Sequence, residues 1–374
     1  MVESADVVVV GGGAIGASTA FHLTELGIHD VVLVERDQLA SGSTGKSAGG
    51  IRAQFADELN IRIALRSMAE LERFEEVIGS VAGDAPEIGL RRCGYLFLLD
   101  DEEDLRAFRA ALELQSSLGV PSVELSVADV EAMLPQVETS DLVGATFCPL
   151  DGHVTPEAVV QGYAAAAAAR GVRIRQGCAV SGITRAGGRI EAVETTRGTI
   201  ATGTVICAAG AWSAEVAAYV GVDIPLRPER RWTFFSADDA GLPADLPLTV
   251  DFSTGVYLSR EGAGIIVGGR EPTVEEFVPL AVRRVPALAD CEIQSSWWGY
   301  YEMSPDHNAI VGESADVSRF LFATGFSGHG FQQAPAVGEH LAELAAGLEP
   351  TLDLSPFTLE RFAAGRERRE QFVI

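Results

Sequence analysis

The sequence has 374 residues, 47% of them hydrophobic and 22% charged, and a formal net charge of −25 at pH 7. This length allows about two to three domain-sized units, and the composition excludes an intrinsically disordered chain. The acidic balance excludes nucleic-acid binding and docking on anionic membranes, because both require a basic surface.

The cysteines and the first residues indicate the cellular setting. Five cysteines are scattered without CxxC spacing, which favours reduced thiols over a disulfide framework. The chain enters a strand within a few residues, shows no signal-peptide pattern and has no apolar run long enough to span a bilayer. We therefore expect a cytoplasmic protein with no membrane segment and no metal site.

Residues 6–16 predict a buried strand followed by a glycine-rich turn. The β-branched run over residues 6–10 is typical of a parallel strand that is covered on both faces. Gly11, Gly13 and Gly16 then fill the G-x-G-x-x-G spacing. The first allows the tight turn, the second lets the backbone approach a pyrophosphate, and the third lets the helix pack on the strand.

The following residues complete a strand–helix–strand unit. A helix from about residue 14 to residue 26 points its N-terminal amides at the phosphates. A second strand over residues 31–34 ends in Glu35, whose carboxylate can accept hydrogen bonds from ribose hydroxyls. The unit predicts a dinucleotide site, equally suited to FAD or NAD, and Glu35 disfavours a 2′-phosphorylated cofactor.

Residues 43–55 read STGKSAGGIRAQF and contain Lys46, the only lysine of the chain. In a sequence that uses arginine for its other basic residues, a single lysine can occur by chance. The alternative is that Lys46 is a cation placed beside a bound cofactor, with Arg52 six residues further along the same loop.

The rest of the chain divides into two kinds of segment. Residues 89–150 and 222–300 combine strand-like pieces, such as GYLFLL and RWTFFS, with helical segments. Residues 172–210 alternate short strands and end in small residues that suit close approach of the backbone to a ligand. Residues 324–344 form a glycine-rich loop and then a helix, from about residue 332 to residue 345, whose positive end favours negative charge near the loop.

Four blocks resemble the D-amino acid oxidase superfamily of flavoproteins, in particular the branch of sarcosine oxidase and dimethylglycine oxidase. They are the N-terminal fingerprint, STGKSAGGIRAQF, VICAAGAWS, and YEMSPDHNAIVG with TGFSGHGFQQAPAVGE. The resemblance implies an α/β fold, with a Rossmann-like FAD-binding domain and an inserted mixed β-sheet as an α+β roof. It assigns residues 1–88, 151–221 and 301–374 to the FAD domain, and residues 89–150 and 222–300 to the substrate domain.

The resemblance also implies the residues that surround FAD. They are Gly11, Gly13, Ala14, Ile15, Gly16, Glu35, Arg36, Ser43, Thr44, Lys46, Ser47, Gly49, Gly50, Val180, Ala209, Gly210, Trp212, Gly299, Gly325, Phe326, Ser327, Gly328, His329 and Gly330. Gly299 stands where some relatives carry the cysteine that links FAD covalently, so we expect non-covalent FAD.

The substrate site implied by the resemblance centres on Arg52, because a guanidinium binds a carboxylate bidentately. Gln332 replaces a lysine that shares the carboxylate in monomeric sarcosine oxidases. Arg270 or Tyr257 could complete the site instead, and Tyr301 matches a family tyrosine that lines the cavity.

The candidate catalytic residues implied by the resemblance are Lys46, Arg52, Tyr301 and His329. His329 also suits a packing or hydrogen-bonding role. A family lysine proposed to activate dioxygen matches Ile266 here, so the enzyme could be a dehydrogenase, or Lys46 could supply the cation.

The function that follows is oxidation of the C–N bond of a secondary or tertiary amine or amino acid, by hydride transfer to flavin N5, giving an imine. The expected partners are the amine and dioxygen or another electron acceptor, and a partner subunit stays open. Two alternatives are a 2-hydroxy-acid dehydrogenase with His307 or His329 as base, and a flavin-bearing assembly or electron-transfer subunit without its own substrate.

Overall fold

The computed structural model describes residues 3–271 and 273–373. Within these ranges the strands β1 to β20 are, in chain order, Glu3–Ser4, Val7–Val10, Val31–Val34, Gly50–Ile51, Tyr95–Leu99, Val123–Leu125, Gly144–Cys148, Gly152–His153, Arg173–Arg175, Val180–Ala186, Arg189–Thr195, Gly198–Ala201, Val205–Cys207, Arg227–Ser236, Leu248–Asp251, Val256–Glu261, Gly264–Gly269, Ser295–Met303, Ile310–Glu313 and Phe320–Thr324.

The helices α1 to α10 of the same ranges are Ala14–Glu25, Glu58–Leu71, Phe74–Ala82, Glu102–Ser117, Val127–Met133, Pro156–Ala169, Ser213–Ala218, Val274–Arg284, Gly330–Ala346 and Glu360–Ala363. Among the described residues, four short 3-10 helices cover Thr44–Lys46, Gly210–Trp212, Pro286–Asp290 and Ser355–Phe357. No helix in the described part of the chain is long and apolar enough to cross a membrane.

A six-stranded sheet carries the predicted nucleotide-binding unit, in the order β19-β20-β13-β2-β3-β9. Its strands are parallel except for β19. The predicted strand–helix–strand unit is confirmed, with β2 one residue shorter than expected and α1 ending at Glu25. Val7 and Val9 pack on one side of the sheet and Val8 and Val10 on the other, which explains the unbroken valine run.

Helices α1, α6 and α9 cover one face of this sheet and bury its larger hydrophobic core. A four-stranded sheet, ordered β1-β12-β11-β10, lies over the other face. The predicted helix after the second glycine-rich loop is confirmed as α9, which begins two residues earlier than expected, at Gly330.

The eight-stranded roof sheet has the order β18-β14-β17-β16-β15-β5-β7-β6 and is mixed, because β15 and β5 run parallel. Strands β5–β7 and β14–β17 fall within the segments expected for the substrate domain. The predicted boundary at residue 300 falls inside β18, which stays hydrogen-bonded to β14 as far as Met303.

The C-terminal segment crosses between the two main sheets. The buried carboxylate of Glu370 accepts hydrogen bonds from the backbone N–H groups of Ala56 and Asp57, at 3.1 Å each. Phe372 stacks on Phe108 of α4, which packs on β5 of the roof, with ring centroids 3.8 Å apart. This segment therefore ties the start of α2 to the roof beside Arg52.

Candidate active site

A cavity of about 350 Å³ opens between the six-stranded sheet and the roof. Residues at the carboxyl ends of β2, β3 and β13 line it, which is where open parallel sheets bind their ligands. The lining extends from Glu35 to the roof tyrosines Tyr257 and Tyr301. The cavity therefore joins the predicted nucleotide site to the predicted substrate site.

The glycine-rich turn leaves the space that a pyrophosphate needs. A Cβ at Gly13 would lie 3.2 Å from Thr44 Oγ1, and the same hydroxyl accepts a hydrogen bond from the Ala14 N–H at 3.2 Å. Gly11 has φ +111°, a left-handed conformation that favours glycine. Gly16 does not line the cavity. A Cβ at Gly16 would strike the Gly11 carbonyl, so this glycine is needed for the close packing of the helix on the turn.

Glu35 closes the nucleotide end of the cavity. Its carboxylate accepts hydrogen bonds from the Gly12 N–H at 2.7 Å and the Asp37 N–H at 2.8 Å. These bonds fix the carboxylate at the end of β3, where a ribose hydroxyl could donate to it.

Arg36 and Trp212 flank the same end. The Arg36 guanidinium lies 3.8 Å from the centroid of the Trp212 ring, and Trp212 meets Tyr300 edge-on at 5.8 Å. Val180 lines this part of the cavity as well. A flat base can stack in such a setting, since the flanking groups are planar.

The loop that carries Lys46 is bound to the edge strand β18. Ser43 Oγ donates to the Tyr300 carbonyl at 2.7 Å, and Trp297 Nε1 donates to the Lys46 carbonyl at 3.1 Å. A Cβ at Gly299 would lie 2.8 Å from the Lys46 Cβ, so glycine is required for this approach. Lys46 is exposed and lines the cavity.

Arg52 is a buried arginine that has no carboxylate partner in the described part of the chain. It is 1% exposed, and its guanidinium donates to the Gln54 and Phe372 carbonyls and to His329 Nε2 at 3.0 Å. The rings of Phe55 and Phe97 lie 4.1 and 5.3 Å from it. No carboxylate of the described residues lies within ion-pair distance, and burial lowers its pKa.

Two side chains hold the backbone on either side of Arg52. Gln332 Oε1 accepts the Arg52 N–H at 2.6 Å, and Asp151 accepts the Ala53 N–H at 2.8 Å. Burial raises the pKa of Asp151 to about 6. Gln332 lines the cavity, but its carbonyl oxygen is already used to position Arg52.

The roof contributes Tyr257, Thr233 and Tyr301 to the cavity. The hydroxyls of Thr233 and Tyr257 lie 3.0 Å apart. Gly328, with φ +97°, leaves no room for a Cβ against the Tyr301 ring. The glycine-rich loop before α9 therefore packs directly on the predicted substrate residue Tyr301.

Most of the predicted cofactor residues line the cavity. The exceptions are Gly16, Gly49 and Gly325. Gly49 has φ +70° and a Cβ there would strike the Val154 carbonyl, while a Cβ at Gly325 would lie 3.0 Å from Ile310 Cγ1. These glycines permit close backbone packing around the site.

Arg270 does not line the main cavity. It lies in an adjoining chamber of about 410 Å³, where it donates to the Val373 carbonyl at 2.9 Å and the Phe252 carbonyl at 3.4 Å. Arg270 and Arg52 therefore line different chambers. The chamber and the main cavity share one lining residue, Arg231.

The sequence predictions missed several lining residues. These are, among others, Tyr95, Arg231, Thr233, Leu248 and Glu302. The alternation of β14 could have identified Arg231 and Thr233, because both project from the face that carries the cavity. No sequence pattern identified Glu302 beyond its position next to Tyr301. Desolvation raises the pKa of Glu302 to about 7.

The residues described fit FAD and give no sign of a metal centre. No group of three or more His, Cys, Asp or Glu side chains of residues 3–271 and 273–373 could hold a metal ion. A glycine turn without room for side chains, the N-terminus of α1 and a fixed carboxylate at the end of β3 match the phosphate and ribose parts of a dinucleotide.

Comparison with known proteins agrees with this geometry. The family model described as FAD dependent oxidoreductase matches residues 6–344. FAD-dependent oxidoreductase domain-containing protein 1 of Bos taurus is 31% identical, covering 100% of this chain and 87% of its own. Sarcosine oxidase subunit beta of Rhizobium meliloti is 31% identical over 96% of this chain and 89% of its own.

A solved structure is also similar to this chain over nearly its whole length. L-proline dehydrogenase from P. horikoshii superimposes with a TM-score of 0.89 at 30% identity, covering 98% of this chain and 100% of the other. The chain is an enzyme that belongs to the family of FAD-dependent oxidoreductases and takes FAD as its cofactor.

Proposed function

We propose that this enzyme oxidises the C–N bond of a secondary amino acid, either N-alkylated or cyclic, to the corresponding imine. The observation that carries the proposal is the guanidinium of Arg52, which is buried at the cavity and has no carboxylate partner among the described residues. A buried charge is costly unless it is paired, and a substrate carboxylate would pair it.

When bound, FAD would supply the hydride acceptor for oxidation of the carbon next to nitrogen. The residues that would hold FAD are the turn at Gly11 and Gly13, Glu35, and the loop containing Thr44. Arg52 fixes the carboxylate, and the roof residues Tyr257 and Tyr301 cover the substrate and exclude water. Positioning accounts for most of the catalysis, because a neutral amine needs no protein base.

The relatives support this substrate class. Sarcosine and L-proline, which appear in the names of two similar proteins, are both secondary amino acids with one carboxylate. The alternative of a 2-hydroxy acid gains less support, because it calls for a histidine base and His329 Nε2 faces the Arg52 guanidinium.

The test is anaerobic mixing of the FAD-loaded protein with N-methyl and cyclic amino acids, amines without a carboxylate, and 2-hydroxy acids. We expect a secondary amino acid to bleach the visible flavin band. Arg52→Met should raise its half-saturating concentration about a hundred-fold. The control Arg230→Met removes an exposed arginine of β14 and should leave the half-saturating concentration for flavin bleaching unchanged.

Two results would contradict the proposal. Bleaching by 2-hydroxy acids alone would identify a hydroxy-acid dehydrogenase. A flavin that no compound bleaches would indicate an assembly or electron-transfer protein without its own substrate.

A further inference from the structure

Two arginines of the roof lie near each other in the adjoining chamber. Arg231 belongs to β14, and Arg270 directly follows the last residue of β17, where the pairing of the two strands ends at Trp232 and Gly269. Both side chains line the adjoining chamber, and like charges that lie close together repel each other. The pKa of Arg270 is lowered, first by burial and then by the charge of Arg231.

Arg270 forms no ion pair within the described part of the chain, and the charges of Glu271 and Asp104 act on it only from a greater distance. Its hydrogen bonds go to the carbonyls of Phe252 and Val373, and no carboxylate of the described residues lies within ion-pair distance. Arg270 is half-buried in the adjoining chamber, so water compensates it only in part.

Arg231 is partly compensated and keeps one buried donor. Its Nη2 donates to Glu229 at 2.9 Å and its Nη1 donates to the Arg230 carbonyl at 3.1 Å. Its Nε is buried and has no hydrogen-bond partner among the described residues. The Arg231 side chain is only 13% exposed and its Nε is buried, so water does not satisfy this donor either.

The acidic residues of the chamber do not cancel these charges. Glu229 is already shared between Arg227 and Arg231. The Glu370 carboxylate is buried and accepts hydrogen bonds at the start of α2. Asp104 lies further from Arg270 than ion-pair distance.

Tyr301 connects this pair to Arg52. The Arg231 guanidinium lies 5.0 Å from the centroid of the Tyr301 ring. The charges of Arg231, Arg52 and Arg270 all act on the Tyr301 hydroxyl. Three arginines therefore surround one tyrosine of the cavity, and two of them have no carboxylate partner in the described chain.

We propose that the substrate is a secondary amine carrying two carboxylates, an iminodiacid, with one carboxylate bound by Arg52 and the second by Arg270 and the free Nε of Arg231. This inference rests on the proposed function, since it names the substrate of the same site. A guanidinium binds a carboxylate through two parallel hydrogen bonds, and an anion between Arg231 and Arg270 would relieve their repulsion.

The test uses two inert analogues in which sulfur replaces the reacting nitrogen. Methylthioacetate carries one carboxylate and thiodiacetate carries two. Each is titrated into the FAD-loaded protein while the flavin absorbance is followed. We expect thiodiacetate to bind about ten-fold more tightly than methylthioacetate.

Variants separate the second carboxylate site from general effects. Arg270→Met should remove the roughly ten-fold advantage of thiodiacetate and leave methylthioacetate unchanged. Arg270→Lys keeps the charge and should retain part of the advantage. Arg230→Met, on the opposite face of the same strand as Arg231, should change neither affinity.

Equal affinities of the two analogues would overturn the inference, and so would an equal loss of both in Arg270→Met. Failure here is distinguishable from failure of the proposed function. If a monocarboxylic amine bleaches the flavin but thiodiacetate has no advantage, the amine oxidation stands and the iminodiacid is wrong. If thiodiacetate binds in an Arg270-dependent manner but no amine bleaches the flavin, the anion site stands and the oxidation is wrong.

Discussion

His329 accepts a hydrogen bond from Arg52, with Nε2 3.0 Å from Nη2. A guanidinium can only donate, so the ring must be neutral with its proton on Nδ1. Burial and then the charge of Arg52 hold the pKa of His329 well below its ordinary value, which agrees with this state. His329 therefore positions the arginine, and its Nε2 is not available as a base.

We expect His329→Leu to weaken secondary amino acid binding about ten-fold, because it leaves a buried Arg52 N–H without an acceptor. His329→Gln can place an amide oxygen near the former Nε2 and should bind almost normally. The measurement is the half-saturating concentration for anaerobic flavin reduction. A His329→Gln variant as weak as His329→Leu would contradict the positioning role.

The same pair predicts how stability depends on pH. The native pKa of His329 lies below the unfolded value, so the unfolded state binds more protons in the window below about pH 6.5. The stability that the neutral ring contributes is therefore present above this pH and is lost as the pH falls. Urea unfolding at pH 5 and pH 7.5 should show a smaller difference for His329→Gln than for the wild type.

Lys46 is predicted to act on the oxidative half of the reaction. Its backbone is fixed beside Gly299 at the cavity, and a cation near the flavin would stabilise superoxide. Lys46→Met should slow reoxidation by dioxygen about ten-fold, and Lys46→Arg should keep most of the rate. If anaerobic reduction and reoxidation are both unchanged in Lys46→Met, the lysine has no such role.

The position of Gly299 predicts that FAD is released on denaturation. This glycine offers no nucleophile for a covalent link. Acid precipitation should leave the yellow colour entirely in the supernatant, as measured by absorbance. A coloured pellet would show that another residue forms a covalent bond to the flavin.

Gly328 is predicted to be essential for the placement of Tyr301. Gly328→Ala would force a methyl group into the Tyr301 ring in addition to the backbone strain at φ +97°. We expect about 1–3 kcal/mol of destabilisation and weaker substrate binding. Gly347→Ala is the matched control, because its φ is +72° and a Cβ there meets nothing within 4 Å.

The control variant Gly347→Ala should lose about 1 kcal/mol of the free energy of unfolding, from backbone strain alone, and should keep normal flavin reduction. Thermal unfolding and anaerobic titration measure the two effects. Equal behaviour of the two variants would mean that the Tyr301 contact is unimportant.

Glu302 is a half-buried carboxyl that lines the cavity, and desolvation raises its pKa to about 7. Between the pKa of Glu302 in the unfolded chain and its native pKa of about 7, the native state binds more protons than the unfolded state. The free energy of unfolding therefore falls as the pH rises, and the loss is complete above pH 7. Glu302→Gln removes this dependence, which is at most about 3 kcal/mol.

Urea unfolding of the cofactor-free protein at pH 5 and pH 8 is the measurement. The advantage of Glu302→Gln over the wild type should grow at pH 8. Glu292→Gln, an exposed control, should follow the wild type at both values. Parallel wild-type and Glu302→Gln values would show that the carboxyl is solvated in the apoprotein.

The sequence determined the nucleotide-binding half of this protein. The turn at Gly11, its strands and helix lie within about thirty residues, so local spacing specifies them. The chemistry of the loop around Arg52 also followed from its residue types and the resemblance. The prediction of FAD as the cofactor, made on that basis, is confirmed by the family match.

Only the tertiary structure decided how the arginines are used. Arg52 bonds to the Phe372 carbonyl, 320 residues away along the chain, and Arg270 to the Val373 carbonyl, 103 residues away. Arg231 and Arg270 come into the same chamber because β14 pairs with β17, and a shift of this register by one residue would turn Arg231 to the other face of the sheet. Pairings of this kind are set by the packing of distant segments, so no local pattern in the sequence specifies them.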